Sequence, residues 1–265
     1  MPTDDPSTTP AAAGTELPPR IQDRASNLLA HGGFLAGRPE AFETIGRLQL
    51  EVLLHEGLCP SSRVVDVGCG VLRAGYWLMH FLEPGCYMGI EPRRDEVEQG
   101  LRFIVEPELV ARAQPRFAYN DDFDLTVFGT PVEFVLARSI WTHASKQQIA
   151  AMLDSFVTAG APGAVLLASY LPASRFPEAI RAPLHATLRR VPRLTTVLRR
   201  VRGHRLAPAD YQGSTWQPGL VGHRRAWIER QCVARGLTVR ELDHGRMLSQ
   251  VWLRIENARV DGRHP

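Results

Sequence analysis

A short glycine-rich stretch carries the first chemistry that the sequence suggests. Residues 63–75 read RVVDVGCGVLRAG, with Asp66 two residues before Gly68 and with Gly70 following closely. A strand that ends in a Gly-x-Gly turn and leads into a helix lets a ligand approach bare backbone at the helix N-terminus. A dinucleotide fingerprint needs a third glycine where this chain has Arg73. The stretch therefore predicts a ligand-binding turn that departs from the dinucleotide pattern.

The charge of Asp66 indicates which ligand the turn would accept. A carboxylate at this point would repel the pyrophosphate of NAD, whereas it would attract a cationic ligand. S-adenosylmethionine carries an ammonium and a sulfonium group and has no phosphate. The stretch favours that ligand, although a purely structural turn remains an alternative from these residues alone.

Acidic residues also follow the next two apolar segments. Glu91 lies 21 residues after Gly70, where an acid can accept hydrogen bonds from both ribose hydroxyls. Asp121 and Asp122 follow a third segment, where a carboxylate can accept from the adenine amino group while the ring of Phe123 covers the base. Capping of a local turn is the alternative role for the two aspartates.

The order of apolar segments predicts the fold that positions these residues. Strands are expected at 64–67, 86–90, 117–119, 134–137, 164–170, 238–242 and 251–255, and helices at about 40–57 and at 77–82, 94–105, 146–157 and 225–235. Alternating strands and helices predict a Rossmann-like α/β fold, with a mostly parallel sheet and helices on both faces. The last two strands have no helix between them, which predicts an antiparallel pair at one edge.

Two segments stand apart from this alternation. Residues 1–19 contain almost no large apolar side chains, so we expect a disordered tail before a single domain at 20–265. Residues 173–222 form an arginine-rich insertion with an apolar stripe that Pro192 interrupts. We interpret it as a cap over the pocket, with a membrane-surface helix and a clamp for an anionic substrate as the alternatives.

Several motifs in this order resemble those of class I S-adenosylmethionine-dependent methyltransferases. They are GRLQLEVLLHEGL at 46–58, GCGVLRAG at 68–75, LEPG at 82–85 and SIWTH at 139–143, and they look most like a bacterial group that acts on small molecules. The resemblance covers about residues 40–172 and 223–257. It implies a seven-stranded sheet ordered 3-2-1-4-5-7-6, in which strand seven is antiparallel, and an acceptor site built partly by the segment after strand five.

S-adenosylmethionine is accordingly the expected cofactor. The residues expected to bind it are Asp66, Gly68, Cys69, Gly70, Arg73, Glu91, Asp121, Asp122, Phe123 and Ser139. Arg73 would pair with the methionine carboxylate of the cofactor or with an acidic acceptor, and a surface position on a helix is its alternative.

Methyl transfer requires the acceptor and the donor to be held in line, and it requires a base only when the acceptor arrives protonated. His143 in the SIWTH motif is the candidate base, because imidazole titrates near neutrality. Local packing is its alternative role. Ser139 and Trp141 are expected to shape the pocket, and Tyr170 to border the acceptor.

Other features of the sequence exclude some classes of function. Strand four ends in Ala137 and Arg138, not in the aspartate of metal-assisted enzymes, so no metal is expected. The chain has no (D/N/S)PP(Y/F/W) motif after that strand, and its net charge is only +3, so no nucleic-acid partner is expected. Four cysteines without metal-ligand spacing, and the lack of a signal or membrane-spanning segment, predict a cytoplasmic protein.

The sequence thus predicts S-adenosylmethionine-dependent methylation of a small-molecule acceptor, most simply on oxygen. Two alternatives remain: an enzyme with weak membrane-surface contact that acts on a lipid-linked or anionic acceptor, and an inactive interaction protein that binds the cofactor. The sequence leaves the acceptor and the oligomeric state undetermined.

Overall fold

The computed structural model describes residues 20–35, 37–173, 206–207, 220–243 and 250–258. The expected tail at 1–19 and nearly all of the insertion expected at 173–222 lie outside the described residues. The helices are α1 (Ile21–Ala30), α2 (Phe42–His55), α3 (Gly75–Phe81), α4 (Arg94–Phe103), α5 (Pro107–Ala113), α6 (Lys146–Ala159) and α7 (Arg225–Val233). The strands are β1 (Val64–Val67), β2 (Tyr87–Ile90), β3 (Arg116–Ala118), β4 (Val132–Ala137), β5 (Gly160–Pro172), β6 (Leu206–Ala207), β7 (Leu220–His223), β8 (Leu237–Glu241) and β9 (Val251–Asn257).

The main sheet confirms the predicted Rossmann-like α/β fold. Its strands lie in the order β3-β2-β1-β4-β5-β9-β8, and β9 is antiparallel to both β5 and β8. The other pairs, from β3 to β5, are parallel. Strands β8 and β9 are the predicted antiparallel pair, so the order 3-2-1-4-5-7-6 is observed. At the carboxyl end of β5, Leu171 and Pro172 also pair with β7, which in turn pairs with β6.

Helices cover both faces of the sheet, because side chains alternate along each buried strand. On the α1–α5 side, Val64 of β1 and Leu136 of β4 join the core formed with the first five helices. On the α6–α7 side, Val65 and Val135 join the core formed with the last two helices. This alternation places each polar residue at a strand end on one of the two faces of the sheet. The residues that lie on the same face can share a site.

Close approach of α4 to the glycine-rich turn explains one glycine in that helix. A Cβ atom at Gly100 would lie 2.8 Å from the carbonyl carbon of Val71 and 2.9 Å from Cγ of Leu72. Such distances are below van der Waals contact, so only glycine lets α4 pack against the segment that follows Gly70. The helix thereby supports the turn that the sequence identified as ligand-binding.

Candidate functional site

The turn after β1 adopts a backbone conformation that favours glycine. Gly68 and Gly70 have φ values of +70° and +50°, in the left-handed region. The backbone N–H groups of Gly68 and Cys69 both donate to the carbonyl oxygen of Ile90, at 2.7 and 3.2 Å. A Cβ atom at Gly68 would lie 2.2 Å from Cδ1 of Ile140. The backbone conformation therefore favours glycine at both positions, and close packing against Ile140 adds to this preference at Gly68.

Asp66 is buried at the carboxyl end of β1, and its side chain is held by a tyrosine. Asp66 is only 4% exposed, and the Tyr87 hydroxyl donates to its Oδ2 atom at 3.2 Å. Burial raises the pKa of Asp66 to about 7, while the Tyr87 hydrogen bond and Arg73 act in the opposite direction. A Cβ atom at Gly75 would lie 2.4 Å from the Tyr87 hydroxyl, so this glycine makes room for the hydrogen bond.

Glu91 connects the ends of β1 and β2. It is 3% exposed, its Oε2 atom accepts from the Gly70 N–H at 3.1 Å, and its Oε1 atom accepts from the Arg93 N–H at 3.1 Å. Burial raises the pKa of Glu91, and the two backbone hydrogen bonds oppose that effect. Each carboxylate oxygen has two lone pairs, so each can accept one more donor. The geometry brings Glu91 to the glycine-rich turn, as its spacing from Gly70 predicts.

Two arginines lie at the same end of the sheet as Asp66. The guanidinium group of Arg73 lies 5.9 Å from the centre of the Phe42 ring. Burial lowers the pKa of Arg73 to about 10, the positive charge of Arg138 lowers it further, and Asp66 opposes both effects. Burial also lowers the pKa of Arg138, which directly follows β4. The alternative of a surface position on a helix is not what the structure shows for Arg73, while its expected pairing with a carboxylate remains a prediction.

The residues expected to hold the adenine occupy different environments after β3. Asp121 and Asp122 are exposed, and the Asp122 side chain accepts from the Asp124 N–H at 3.2 Å, as in a turn cap. Phe123 has a φ of +62°, and its ring is 6% exposed within the core on the α6–α7 side. The turn-capping alternative thus describes Asp122, while the expected contacts with adenine remain predictions.

A polar network joins the ends of β4 and β5 to the start of β9. The Ser139 N–H donates to Ser169 Oγ at 2.7 Å, and Ser139 has a φ of +61°. The Gln250 side chain donates through Nε2 to Ser139 Oγ at 2.8 Å and accepts from Ser169 Oγ at 2.6 Å. The sequence predicted only Ser139 at the site. Ser169 is a polar residue within the apolar run of β5, and this departure from the pattern was the available signal that it could belong to the site.

The loop from β4 to α6 carries the candidate base. His143 is exposed there, and its backbone N–H donates to the Ile140 carbonyl at 3.0 Å. The loop ends in a capping box, in which Ser145 Oγ accepts from the Gln148 N–H and the Gln148 side chain accepts from the Ser145 N–H. This arrangement starts α6 directly after the loop.

Two aromatic residues that were expected to line the pocket lie in the core instead. Trp141 is fully buried, and its Nε1–H donates to the Met152 sulfur of α6 at 3.2 Å. Tyr170 is 1% exposed within the core on the α6–α7 side, and its hydroxyl donates to Glu241 at 3.1 Å. Both side chains join the core on the face of the sheet opposite to Asp66, which does not favour the expected roles in the pocket.

The sequence analysis did not identify His223, whose side chain contacts the backbone of the loop between β4 and α6. His223 is 1% exposed, and its Nε2 atom lies 3.0 Å from the Trp141 carbonyl oxygen and 3.2 Å from that of Ala144. Burial lowers the pKa of His223 to about 4, so it is neutral at pH 7 and its Nε2–H serves as the donor to both carbonyls. The ring also stacks on Trp227 of α7.

Within the described residues, no group of three or more histidine, cysteine, aspartate or glutamate side chains is arranged to hold a metal ion. The four cysteines, all in the described part of the chain, form no disulfide. A search of the described helices finds none with the length and apolar character needed to span a bilayer.

Comparison with known proteins supports the fold. No protein-family model matches the chain, and no curated protein matches its sequence. Among solved structures, magnesium protoporphyrin IX methyltransferase from Synechocystis PCC 6803 with bound SAH (S-adenosylhomocysteine) is 17% identical, with a TM-score of 0.53 over 88% of this chain and 92% of that chain. The DhpI–SAM–HEP complex is 16% identical, with a TM-score of 0.51 over 89% and 93% of the two chains.

The S-adenosylmethionine-dependent methyltransferase SibL in its apo form is 18% identical, with a TM-score of 0.53 over 91% of this chain and 70% of that chain. At these identities the likeness concerns the fold. The chain therefore has the fold of S-adenosylmethionine-dependent methyltransferases, which agrees with the resemblance found in its motifs.

Proposed function

We propose that this protein is an enzyme that transfers a methyl group from S-adenosylmethionine to an oxygen atom of a small-molecule acceptor. The observation that carries the proposal is the grouping of a Gly-x-Gly turn with two buried carboxylates, Asp66 and Glu91, at the ends of neighbouring strands. Such a grouping suits a ligand with a cationic amino acid end and a ribose. The shared fold with solved methyltransferases supports the same conclusion.

The residues divide between the parts of the cofactor by their chemistry. Asp66 attracts the ammonium group, Arg73 pairs with the carboxylate, and Glu91 accepts from the ribose hydroxyls. Backbone groups of Gly68, Cys69 and Gly70 approach the ligand without obstruction from side chains, and Ser139 lies beyond them at the end of β4. Asp121, Asp122 and Phe123 remain the candidates for the adenine.

When bound, the cofactor supplies a methyl group that its sulfonium already activates. The protein holds the acceptor in line with that methyl group and excludes competing water. His143 takes the proton of the acceptor hydroxyl as the general base. The contacts of His223 with the loop carbonyls keep the His143 backbone in one position, which favours a constant distance from the base to the acceptor.

Calorimetry with the purified chain tests the first requirement of the proposal. We expect S-adenosylmethionine and S-adenosylhomocysteine to bind and NAD not to bind, because Asp66 lies where a pyrophosphate would be repelled. A matched run with Asp66→Asn separates this charge effect from the shape of the pocket, since the substitution should weaken the binding of S-adenosylhomocysteine. Binding of NAD alone would exclude the proposed function.

Replacement of Glu91 is expected to weaken cofactor binding. In Glu91→Ala, the ribose hydroxyls and the N–H groups of Gly70 and Arg93 lose their acceptor, so S-adenosylhomocysteine should bind about tenfold more weakly. Glu91→Gln keeps one oxygen acceptor and should have a smaller effect. Calorimetry measures the affinity, and thermal unfolding checks that each variant is folded. Unchanged affinity in a folded Glu91→Ala protein would assign the ribose contact to another residue.

A further inference from the structure

Arg138 is a partly buried cation to which the proposed cofactor contacts assign no role. Its guanidinium group makes no ion pair or hydrogen bond with the described residues, and partial burial lowers its pKa. A buried guanidinium group loses hydration, and this loss is offset only where an anion or acceptor accepts its hydrogen bonds. No described side chain supplies such an anion, and a bound oxyanion would supply one.

The strand pattern shows on which side of the sheet Arg138 lies. Phe134 and Leu136 of β4 join the core on the α1–α5 side, whereas Val135 and Ala137 join the core on the α6–α7 side. Arg138 is the first residue after β4, and its placement on the α1–α5 side extends this alternation by one residue. By the same rule Asp66 lies on the α1–α5 side of β1. The effect of Arg138 on the pKa of Arg73 agrees with this placement, because it requires the two cations to be near each other.

Pairing of the charged groups at this edge assigns no anion to Arg138 when the cofactor is bound. The cofactor brings one carboxylate, which Arg73 can hold, and one ammonium group, which Asp66 can hold. Glu91 also carries a negative charge, but it follows β2, which β1 separates from β4, and it accepts from the N–H groups of Gly70 and Arg93. Arg138 then remains without an anion, and it lies near another guanidinium group that repels it.

The neighbours of Arg138 supply polar groups for a second ligand. Ala137 pairs with Ala168 of β5, so Arg138 lies abreast of Ser169. The next residue, Ser139, shares the hydrogen-bond network with Ser169 and Gln250. A cation beside two hydroxyls and an amide is suited to an oxyanion, and the planar guanidinium group can bind a carboxylate or a phosphate through two parallel hydrogen bonds.

We infer that the methyl acceptor carries an oxyanion, a carboxylate or a phosphate, and that Arg138 anchors it beside the Ser139–Ser169–Gln250 network. The inference rests on the proposed function, since it places this anion next to a bound cofactor. The anion is an anchoring group, and the acceptor oxygen that His143 would deprotonate is a different group of the same molecule. Arg138 is thus a specificity-determining residue.

The test uses the full chain saturated with S-adenosylhomocysteine, with benzoate and inorganic phosphate as separate probes at constant ionic strength. Ligand-observed NMR measures the affinity of each probe. We expect at least one probe to bind, and we expect Arg138→Gln to weaken that binding about tenfold or more. Arg138→Lys, which keeps the charge but loses the planar fork, should lie in between. Preference for benzoate or for phosphate distinguishes a carboxylate acceptor from a phosphorylated one.

Arg230→Gln is the matched control, because it removes one positive charge from an exposed position on α7. It should leave probe binding unchanged, and all the variants should keep their affinity for S-adenosylhomocysteine. If the wild-type chain does not bind S-adenosylhomocysteine, the proposed function fails. If it binds S-adenosylhomocysteine but neither probe, or if Arg138→Gln binds the probes as the wild type does, the inference on Arg138 is wrong. Loss of S-adenosylhomocysteine affinity in Arg138→Gln and Arg138→Lys would assign Arg138 to the cofactor, and this result would also overturn the inference.

Discussion

The affinity for S-adenosylhomocysteine is expected to rise about tenfold per pH unit up to about pH 7 and to level off above it. Burial raises the pKa of Asp66 to about 7 in the free protein, so the carboxyl group is largely protonated at pH 5. The ligand ammonium group binds the carboxylate form, and therefore binding must first release a proton from Asp66. Between pH 5 and pH 8 the affinity should rise about 100-fold. Calorimetry over that range, in two buffers with different ionisation enthalpies, measures both the affinity and the proton release.

Two variants show whether Asp66 causes this dependence. Asp66→Asn cannot titrate at this position, so the slope should disappear, and any slope that remains belongs to other groups. The Tyr87 hydroxyl donates to Asp66 and thereby lowers the pKa of Asp66. Tyr87→Phe removes this hydroxyl, so the midpoint of the affinity curve should move to higher pH. A wild-type affinity that is constant between pH 5 and pH 8 would contradict the assignment of Asp66 to the ammonium group.

The same pKa shift affects the stability of the ligand-free protein. The pKa of Asp66 is raised on folding from an ordinary value of 3.8, so the folded state binds the proton more tightly than the unfolded state does. The resulting contribution to stability is present below about pH 4 and is lost as the pH rises to about 7. The loss is on the order of 4 kcal/mol. The buried carboxylate is thus unfavourable for folding at neutral pH, as expected of a residue retained for ligand binding.

Turnover is expected to fall by about 10² to 10⁴ in His143→Ala, because a positioned base contributes that much when the acceptor arrives protonated. The substitution should leave the affinity for S-adenosylhomocysteine unchanged, since His143 lies beyond the residues assigned to the cofactor. The acceptor is first identified as the metabolite that gains a labelled methyl group from the cofactor. The rate at which this label is transferred then measures the turnover.

His80→Ala serves as the matched control, because His80 is also exposed but lies on α3 in its last turn. It should keep wild-type turnover. A decrease of less than tenfold in His143→Ala, or a decrease that follows the cofactor affinity, would reassign His143 to local packing. The contacts of His223 with the neighbouring carbonyls would then explain the loop as a structural element.

Local patterns in the sequence determined the order of the elements. Valine-rich runs such as 64–67 and the helical spacing in 146–157 predicted β1 and α6, because alternation and three-to-four spacing are properties of single segments. The sequence analysis missed α1 and α5. Helix α5 has only seven residues and begins at Pro107, so its helical periodicity is too short to stand out.

The sequence also predicted that Asp66 and Glu91 lie at the same edge of the sheet, because each lies at the carboxyl end of a strand. Parallel strands bring their carboxyl ends together, so residues after β1 and β2 meet without any knowledge of side-chain packing. The same reasoning fails in loops several residues beyond a strand end, where the regular alternation of side chains no longer holds. Trp141 was expected to shape the pocket because its motif follows β4, and only the packing of α6 against the loop shows that its ring lies in the core.

Contacts between distant segments were decided by the tertiary structure alone. Ser139 and Gln250 are separated by 111 residues, and their hydrogen bond depends on the antiparallel register of β9 against β5. The approach of Arg138 to Arg73 likewise depends on how β4 and the turn after β1 pack. Spacing along the chain carries no information on such pairs, because the free energy that forms them comes from burial of the whole sheet between its two helix layers.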